Sequence, residues 1–235
     1  AETPYTFTTI VSAAYVEGYA ANSLFAYRYA GLDDSGRPQV YDKNGNVVAG
    51  SNSMSLDIDD VKYMGTIVPK FYGGLSNRFS YKSLELSFLL VYNLGHVMRN
   101  NLNAFYSGRP TDNFHNSFDK RWRNPGDEAF TNIPKYSVLS DPSNMISLYN
   151  YADVNVLDAS YVKLRDISLS WNLDRRIAQK IWAENIKLTF QIANLFYIAA
   201  NKEGIDPEAY LPSFYNDNRR DKYGPTYSIG LTINF

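Results

Sequence analysis

The stretch TYSIGLTINF alternates without a break. Tyr227, Ile229, Leu231, Ile233 and Phe235 fall on one parity, and Thr226, Ser228, Gly230, Thr232 and Asn234 on the other. Side chains of a strand project alternately to its two faces, so this segment predicts a strand lying between two media, one apolar and one polar. In a soluble sandwich the apolar face meets a protein core. In an outer-membrane barrel it meets lipid while the polar face looks into a wet lumen. Alternation is compatible with both, so the other strands and their connections have to decide.

Several segments repeat the pattern. KSLELSFLLVYN sets Leu84, Leu86, Phe88, Leu90 and Tyr92 against Ser83, Glu85 and Ser87, with Leu89 and Val91 interrupting the polar side. YVKLRDISLSWNL sets Ile167, Leu169, Trp171 and Leu173 against Asp166, Ser168, Ser170 and Asn172. Earlier in that segment Lys163 and Arg165 take the apolar parity, which predicts that its first part lies beyond a hydrocarbon band, where charge costs little. IKLTFQIANLF sets Ile186, Leu188, Phe190 and Ile192 against Lys187, Thr189 and Gln191 until Asn194 breaks the parity, as a bulge or the end of the band would. Weaker strands are expected in KFYGGLSNRFS, around Phe71, Gly73, Leu75 and Phe79, and in SLFAYRY, from Leu24 to Tyr29.

The connections between these segments alternate in length. Only Ser80 to Lys82 separate two strands, whereas His96 to Ser160 form an excursion of some 65 residues, Asp174 to Asn185 a short link, and Tyr197 to Lys222 another long excursion. A structureless connection that long argues against a compact soluble domain, but membrane barrels combine short periplasmic turns with long extracellular loops. On this reading the extracellular loops are about 96–160 and 197–222, and the final strand ends on the periplasmic side. Within the short link Ile177, Ile181 and Trp182 fit one or two amphipathic helical turns.

Composition narrows the classes. With 20 Tyr, 13 Phe and 3 Trp, aromatics make up 15% of the chain, which suits a surface with one wet and one greasy side and equally a Tyr-rich sugar-binding module. The 23 Lys+Arg against 24 Asp+Glu, with no block of like charge, give no nucleic-acid surface. Cysteine is absent, which removes disulfide scaffolds and thiolate metal sites. No apolar run approaches the roughly 18 residues of a spanning helix, and no secretory leader is read at AETPYTFTTI, so spanning, where it occurs, is by strands.

No residue set calls for catalysis, a metal or a cofactor. His96 and His115 lack metal-ligand spacing and read as polar loop residues. In YDKNGNVV, Asp42, Asn44 and Asn46 resemble the first ligands of a calcium loop, but Val47 stands where the turn glycine belongs, so a surface hairpin with an Asn-Gly turn is expected. Asp57, Asp59, Asp60, Glu203, Asp206 and Glu208 are read as carboxylates that solvate the outer surface, and Gly73 and Gly74 as a site of close packing or a sheet kink.

EGYAANSLFAYRYAGLD, DVKYMGTIVPKFYGGLSNRFSYKSLELSFLL, RWRNPGDEAFTNIPKY, DASYVKLRDISLSWNL, QIANLF with GIDPE, and the strand ending in INF together resemble, in this order, the C-terminal part of SusC-like TonB-dependent outer-membrane transporters. The resemblance covers the chain from about Glu17 onward. It implies an all-β, antiparallel transmembrane barrel of about 22 strands, of which this chain supplies about six or seven. A sheet of that size would carry two open edges, which lipid does not tolerate, so residues 1–235 are expected to be the C-terminal part of the barrel domain. The plug is expected to lie outside this chain.

The same resemblance implies import of oligomeric nutrients, glycans or peptides, across the outer membrane of a Gram-negative bacterium, and not enzymatic activity. The implied partners are the N-terminal barrel and plug of the same transporter, a SusD-like surface lipoprotein, the TonB complex reached through the N-terminal part, the barrel-assembly machinery and the lipid bilayer. Tyr227, Ile229, Leu231, Ile233 and Phe235 are expected to carry barrel closure and the assembly signal. Tyr106, Asn113, Phe114, Trp122, Tyr149 and Tyr151 are candidates for contact with ligand or with the lid lipoprotein. Two other readings stand beside this one: a barrel scaffold subunit of a larger outer-membrane complex, and a soluble β-rich carbohydrate-binding module.

Overall fold

The computed structural model describes residues 11, 16–50, 55–100, 116–136, 146–209 and 224–235. Its strands, in chain order, are β1 (Ser23–Leu32), β2 (Pro38–Tyr41), β3 (Val47–Ala49), β4 (Val61–Thr66), β5 (Phe71–Tyr81), β6 (Leu84–Leu94), β7 (Val97–Arg99), β8 (Val156–Asp158), β9 (Tyr161–Asn172), β10 (Asn185–Ala199) and β11 (Thr226–Asn234). Every strand pairing is antiparallel. The chain divides into two compact units, one of Ala1–Val68, His96–Asp158 and Pro212–Asn218, the other of Pro69–Gly95, Ala159–Leu211 and Arg219–Phe235.

The first unit holds a four-stranded sheet in the order β3-β2-β1-β4 and the short pair β7-β8. Two turns of one design build the sheet's hairpins. Asp33 N–H donates to Arg37 O and Gly36 N–H to Asp33 O, just as Asp42 N–H donates to Asn46 O and Gly45 N–H to Asp42 O. In each turn the Asp carboxylate accepts from backbone two and four residues on, and the glycine takes the left-handed conformation (φ 74° and 85°) that closes a three-residue hairpin loop. The YDKNGNVV segment is therefore the hairpin that its Asn-Gly pair predicts. These bonds to the charged form hold the Asp42 carboxyl below its ordinary range, the Asn46 side chain contributing most. Tyr27, Val40, Leu56 and Leu148 close the core of this unit.

The excursion from residue 96 to 160 is not structureless. It opens with β7 and ends with β8, which pair through Val97↔Asp158 and Arg99↔Val156, and between them lie 3-10 turns at 116–120 and 127–129 and the helical turn Ile146–Asn150. Runs of three residues are too short to show a period, which is why the sequence pattern is blank here. The SLFAYRY strand is present as β1, but it belongs to the sheet of this unit and not to the long-stranded one.

The second unit is a five-stranded sheet in the order β11-β10-β9-β6-β5. The tight turn at Lys82 and Ser83 joins β5 to β6, with Tyr81 opposite Leu84. The predicted faces line up across all of its strands. Phe79, Leu86, Leu169, Phe190 and Ile229 form one apolar row, and Tyr81, Leu84, Trp171, Leu188 and Leu231 the next. This face is open: Phe79, Leu169, Phe190 and Ile229 are 56%, 44%, 41% and 78% exposed. On the opposite face Glu85, Ser170, Thr189 and Gly230 make a row, and Ser87, Ser168, Gln191 and Ser228 another. Cross-strand neighbours on one face are the unit of sheet stabilisation, so the sheet keeps its two media apart row by row.

Gly73 and Gly74 serve close packing, as expected. Tyr92 lies opposite Gly73 and its ring occupies the space where a Cβ would stand, while a Cβ on Gly74 would sit 3.2 Å from the carbonyl oxygen of Leu90.

Candidate functional site

The polar face of the five-stranded sheet carries the chemistry. In its middle rows the Ser170 and Thr189 hydroxyls lie 3.1 Å apart, and Gln191 donates to the Asp166 carboxylate. Arg78 and Glu85 form an ion pair at 3.7 Å, but with the Arg78 side chain 69% exposed it adds little.

Charge becomes concentrated where β9 bulges. Opposite β6 the register runs Leu89↔Asp166 and then Leu90↔Leu164, so Arg165 is an extra residue. Opposite β10 it runs Ala193↔Asp166 and then Phe196↔Leu164, so Asn194, with φ 55°, and Leu195 together stand opposite Arg165 and β10 has one residue to spare there. A one-residue bulge exchanges the faces of everything beyond it. Because β6 alternates regularly, Leu164 opposite Leu90 moves to the apolar face, and Lys163 opposite Val91 moves to the polar one. The parity that assigned Lys163 to the apolar side is thereby corrected, and the break expected at Asn194 is a bulge.

Over that end of the polar face lies the GIDPE segment. Asn201 exchanges hydrogen bonds with the Ile205 backbone (2.9 and 3.1 Å), and Asp206 accepts from Glu208 N–H at 3.0 Å through its side chain and from Ala209 N–H at 3.1 Å through its carbonyl. The Tyr197 hydroxyl donates to Gly204 O at 3.3 Å. The segment is thus a prefolded loop that presents two carboxylates. Lys163 Nζ sits 2.6 Å from Glu208 and 3.4 Å from Asp206, with Lys163 and Asp206 side chains each 1% exposed. Arg165 donates to both carboxylate oxygens of Glu208 from its two terminal guanidinium nitrogens. Burial alone would raise the Glu208 carboxyl, but the hydrogen bonds from Arg165 and Lys163 outweigh it and hold the group below its ordinary range.

Two cations and two carboxylates neutralise one another inside this cluster, so it acts as a tether that fixes the loop to the sheet. Asp206 and Glu208 are therefore partners of the buried Lys163, and Glu208 of the half-buried Arg165 as well, and not the solvating carboxylates that the sequence suggested. The sequence signals were the charge-bearing parity break at Lys163 and Arg165 and the acidic pair of GIDPE, but the distance of 43 residues between Lys163 and Asp206 hid their connection.

The residues singled out from the sequence fall in several places. Tyr149 is 4% exposed and packs with Tyr29, its ring centre 5.8 Å away. Trp122 donates from its indole nitrogen to Glu128 at 2.9 Å, and that bond keeps the Glu128 carboxyl below its ordinary range. The Trp122 ring lies against Gly36, where any Cβ would collide with it. Arg99 stacks on Tyr151 at 4.9 Å while donating to Phe25 O. Tyr106, Asn113 and Phe114 lie outside the described residues. Along β11, Tyr227, Ile229, Leu231 and Ile233 share the apolar face, each opposite an apolar residue of β10. Phe235 follows at 79% exposure. Among the described residues β11 and β5 each have a single hydrogen-bonded neighbour, so both edges of this sheet are open.

An exposed aromatic group not anticipated from the sequence stands in the first unit. Tyr19, Phe25 and Tyr63 pack edge to face and tilted with centroids 4.9 to 5.7 Å apart, Tyr19 and Tyr63 being 49% and 40% exposed. Among the described residues no cluster of His, Cys, Asp and Glu is arranged to hold a metal.

No protein-family model matches the chain. Two curated TonB-dependent receptors of Formosa agariphila do: one is 29% identical across 82% of this chain and 19% of its own length, the other 25% identical across 93% and 22%. Among solved structures, the RagAB peptide transporter superposes with a TM-score of 0.68 at 21% identity, covering 94% of this chain and 23% of that one. The RagAB peptide importer in its closed-closed state gives 0.64 at 23% identity, over 93% and 23%. These structures establish a shared fold. The strand pattern, the open two-faced sheet and the sequence matches agree: the chain is similar to TonB-dependent receptors over most of its own length and about a fifth of theirs.

Proposed function

We propose that residues 1–235 are the C-terminal barrel portion of a SusC-like TonB-dependent importer in the outer membrane of a Gram-negative bacterium, taking up oligomeric nutrients together with a SusD-like surface lipoprotein. The observation that carries this reading is the five-stranded sheet with an open apolar face and a continuous polar one. Its strands have the right length. Eleven residues, as in β5 and β6, at about 3.4 Å each and tilted by about 45°, rise about 26 Å, close to the roughly 25 Å apolar band of outer-membrane barrels.

The open edges support the same reading. Lipid offers no hydrogen bonds, so β5 and β11 pair with strands of the longer protein, β11 meeting the first strand of a barrel of about 22 strands. The plug and the TonB contact belong to the N-terminal part. Residues 96–160 and 197–222 are the extracellular loops, and the tethered GIDPE loop belongs to the second of them. The final strand, ending in Phe235, is what the assembly machinery reads. The relatives are named as receptors and the structural neighbours as peptide importers, and peptides are the first substrate class to test, ahead of glycans.

The decisive experiment is peptide mapping of the detergent-solubilised native complex, coupled to uptake of labelled oligopeptides and oligosaccharides by cells with and without the gene. Co-purifying plug peptides, a lipoprotein partner and gene-dependent uptake support the proposal. A monodisperse chain soluble without detergent overturns it in favour of a soluble binding module. A stable complex with no uptake phenotype favours a scaffold role.

A further inference from the structure

The short link between β9 and β10 is more elaborate than a turn needs to be. Asp174 caps the helical turn Arg175–Gln179 by accepting from Arg176 N–H at 2.9 Å. The turn ends in a Schellman arrangement, with Trp182 N–H donating to Gln179 O (3.2 Å) and Ala183 N–H to Ala178 O (3.1 Å). Its inner side is locked, because Ala178, Ala183 and Ile186 are buried together against Leu173. Glu184 N–H donates to Asn234 O at 2.7 Å, tying the link to the end of β11.

The outer side has no such partners. Trp182 occupies the left-handed position of the Schellman motif (φ 57°), where glycine is favoured because it has no Cβ. Its side chain is nevertheless 91% exposed, so packing among the described residues does not offset the strained backbone. Ile177 and Ile181 beside it are 45% and 46% exposed. Arg175, Arg176 and Lys180 are also exposed, and their side chains form no ion pair with any described residue. Against Asp174, whose carboxylate is used as the cap, and Glu184, the three cations leave the link net positive.

A Trp with two aliphatic neighbours and a cationic fringe has the chemistry of a membrane interface: the indole suits the headgroup level and the cations suit anionic headgroups. The link is also continuous with the apolar row that contains Trp171 and Leu188. We infer that residues 174–184 form an interfacial anchor that seats Trp182, Ile177 and Ile181 at the headgroup level of the periplasmic leaflet and binds anionic phospholipid headgroups through Arg175, Arg176 and Lys180. The anchor rests on the outer-membrane reading, with short links on the periplasmic side.

The test uses the full-length protein in a cysteine-free background, reconstituted into nanodiscs of phosphatidylcholine alone or mixed with phosphatidylglycerol. W182C and I229C, each substituting an exposed side chain, are labelled with an environment-sensitive fluorophore and challenged with nitroxide lipids and with aqueous iodide. Shallow nitroxide lipid is expected to quench the label at residue 182 several-fold more than iodide does. The quenching should grow with phosphatidylglycerol, and R175E/R176E/K180E should abolish that growth. The label at residue 229 reports on the sheet. If deep nitroxide lipid quenches it while the label at 182 is quenched by iodide, or by neither agent as in a protein contact, the anchor is refuted and the outer-membrane reading survives. Absence of lipid quenching at both positions overturns the outer-membrane reading itself. Quenching at 182 that is indifferent to phosphatidylglycerol and to the charge reversal refutes the headgroup selectivity.

Discussion

Replacing Lys163 by Met should release the GIDPE loop from the sheet. Lys163 and Asp206 side chains are each 1% exposed, and removing the ammonium leaves buried Asp206 without an ion pair among the described residues. Stranding one partner of a buried pair costs about 3–5 kcal/mol. Glu208 keeps Arg165, whose side chain is 38% exposed, so the loss falls near the lower end, about 3 kcal/mol. At about 1.4 kcal/mol per tenfold, the open state of the loop becomes roughly a hundredfold more populated. Hydrogen–deuterium exchange of the full-length protein in detergent reads this directly at the amides of Ile205, Glu208 and Ala209, whose N–H groups are bonded within the loop. The double variant K163M/D206N removes both charges while keeping an acceptor for Glu208 N–H, and it should recover most of the protection. Unchanged exchange in K163M refutes the tether. A double variant as loose as the single one refutes the claim that an uncompensated carboxylate is the cause.

Three further outcomes follow from the same geometry. Glu208 has a folded pKa below its ordinary value of 4.5, so its contribution is complete above that value and is lost as pH falls through the folded one. Loop protection, corrected for intrinsic exchange, should be flat through neutral pH and collapse only in acid; loss between pH values well above the ordinary one would contradict it. Leu169→Arg, in the middle apolar row, should destabilise the refolded barrel by about 2–4 kcal/mol in urea titration, whereas Ser168→Arg on the polar face should escape that penalty. Equal effects would show that the faces have been assigned wrongly. Deleting Phe235 should lower the level of folded protein in the outer membrane, measured by heat-modifiable migration, and a normal level would remove its role in assembly.

The long strands were legible because one face of each is held in a single medium. In β11, in β6 from Leu84 to Phe88 and in β9 from Ile167 to Trp171, a period of two survives intact, and the Asn-Gly hairpin carries its own turn chemistry. The matching turn at Asp33–Arg37 has the same Asp and Gly spacing and went unread. What could not be read is whatever depends on pairing. Nothing local in YVKLRD says that Arg165 has no opposite number in β6, so Lys163 stayed on the wrong side. Asp206 and Glu208 look like surface acids until the loop folds over the sheet. The strand at Leu24–Tyr29 was visible as a strand, but its sheet was not, because neighbours such as β2 and β3 are only four and three residues long.

The bulge at Arg165 is a phase slip in a two-stroke code. Toward Trp171 the odd positions of β9 face the apolar side, and toward Tyr161 the even ones do, so the strand is written in two reading frames joined at one residue. Homologues can therefore lengthen or trim their loops freely, yet gaining one more residue between Lys163 and Asp166 would turn Lys163 outward and leave Asp206 and Glu208 facing a leucine. Such a change is survivable only with a compensating one near Asn194 and Leu195 in β10 and near Leu89 in β6. Insertions and deletions in these strands should then be inherited as matched sets, and their co-occurrence would trace which strands are neighbours in relatives whose sequences have otherwise drifted apart.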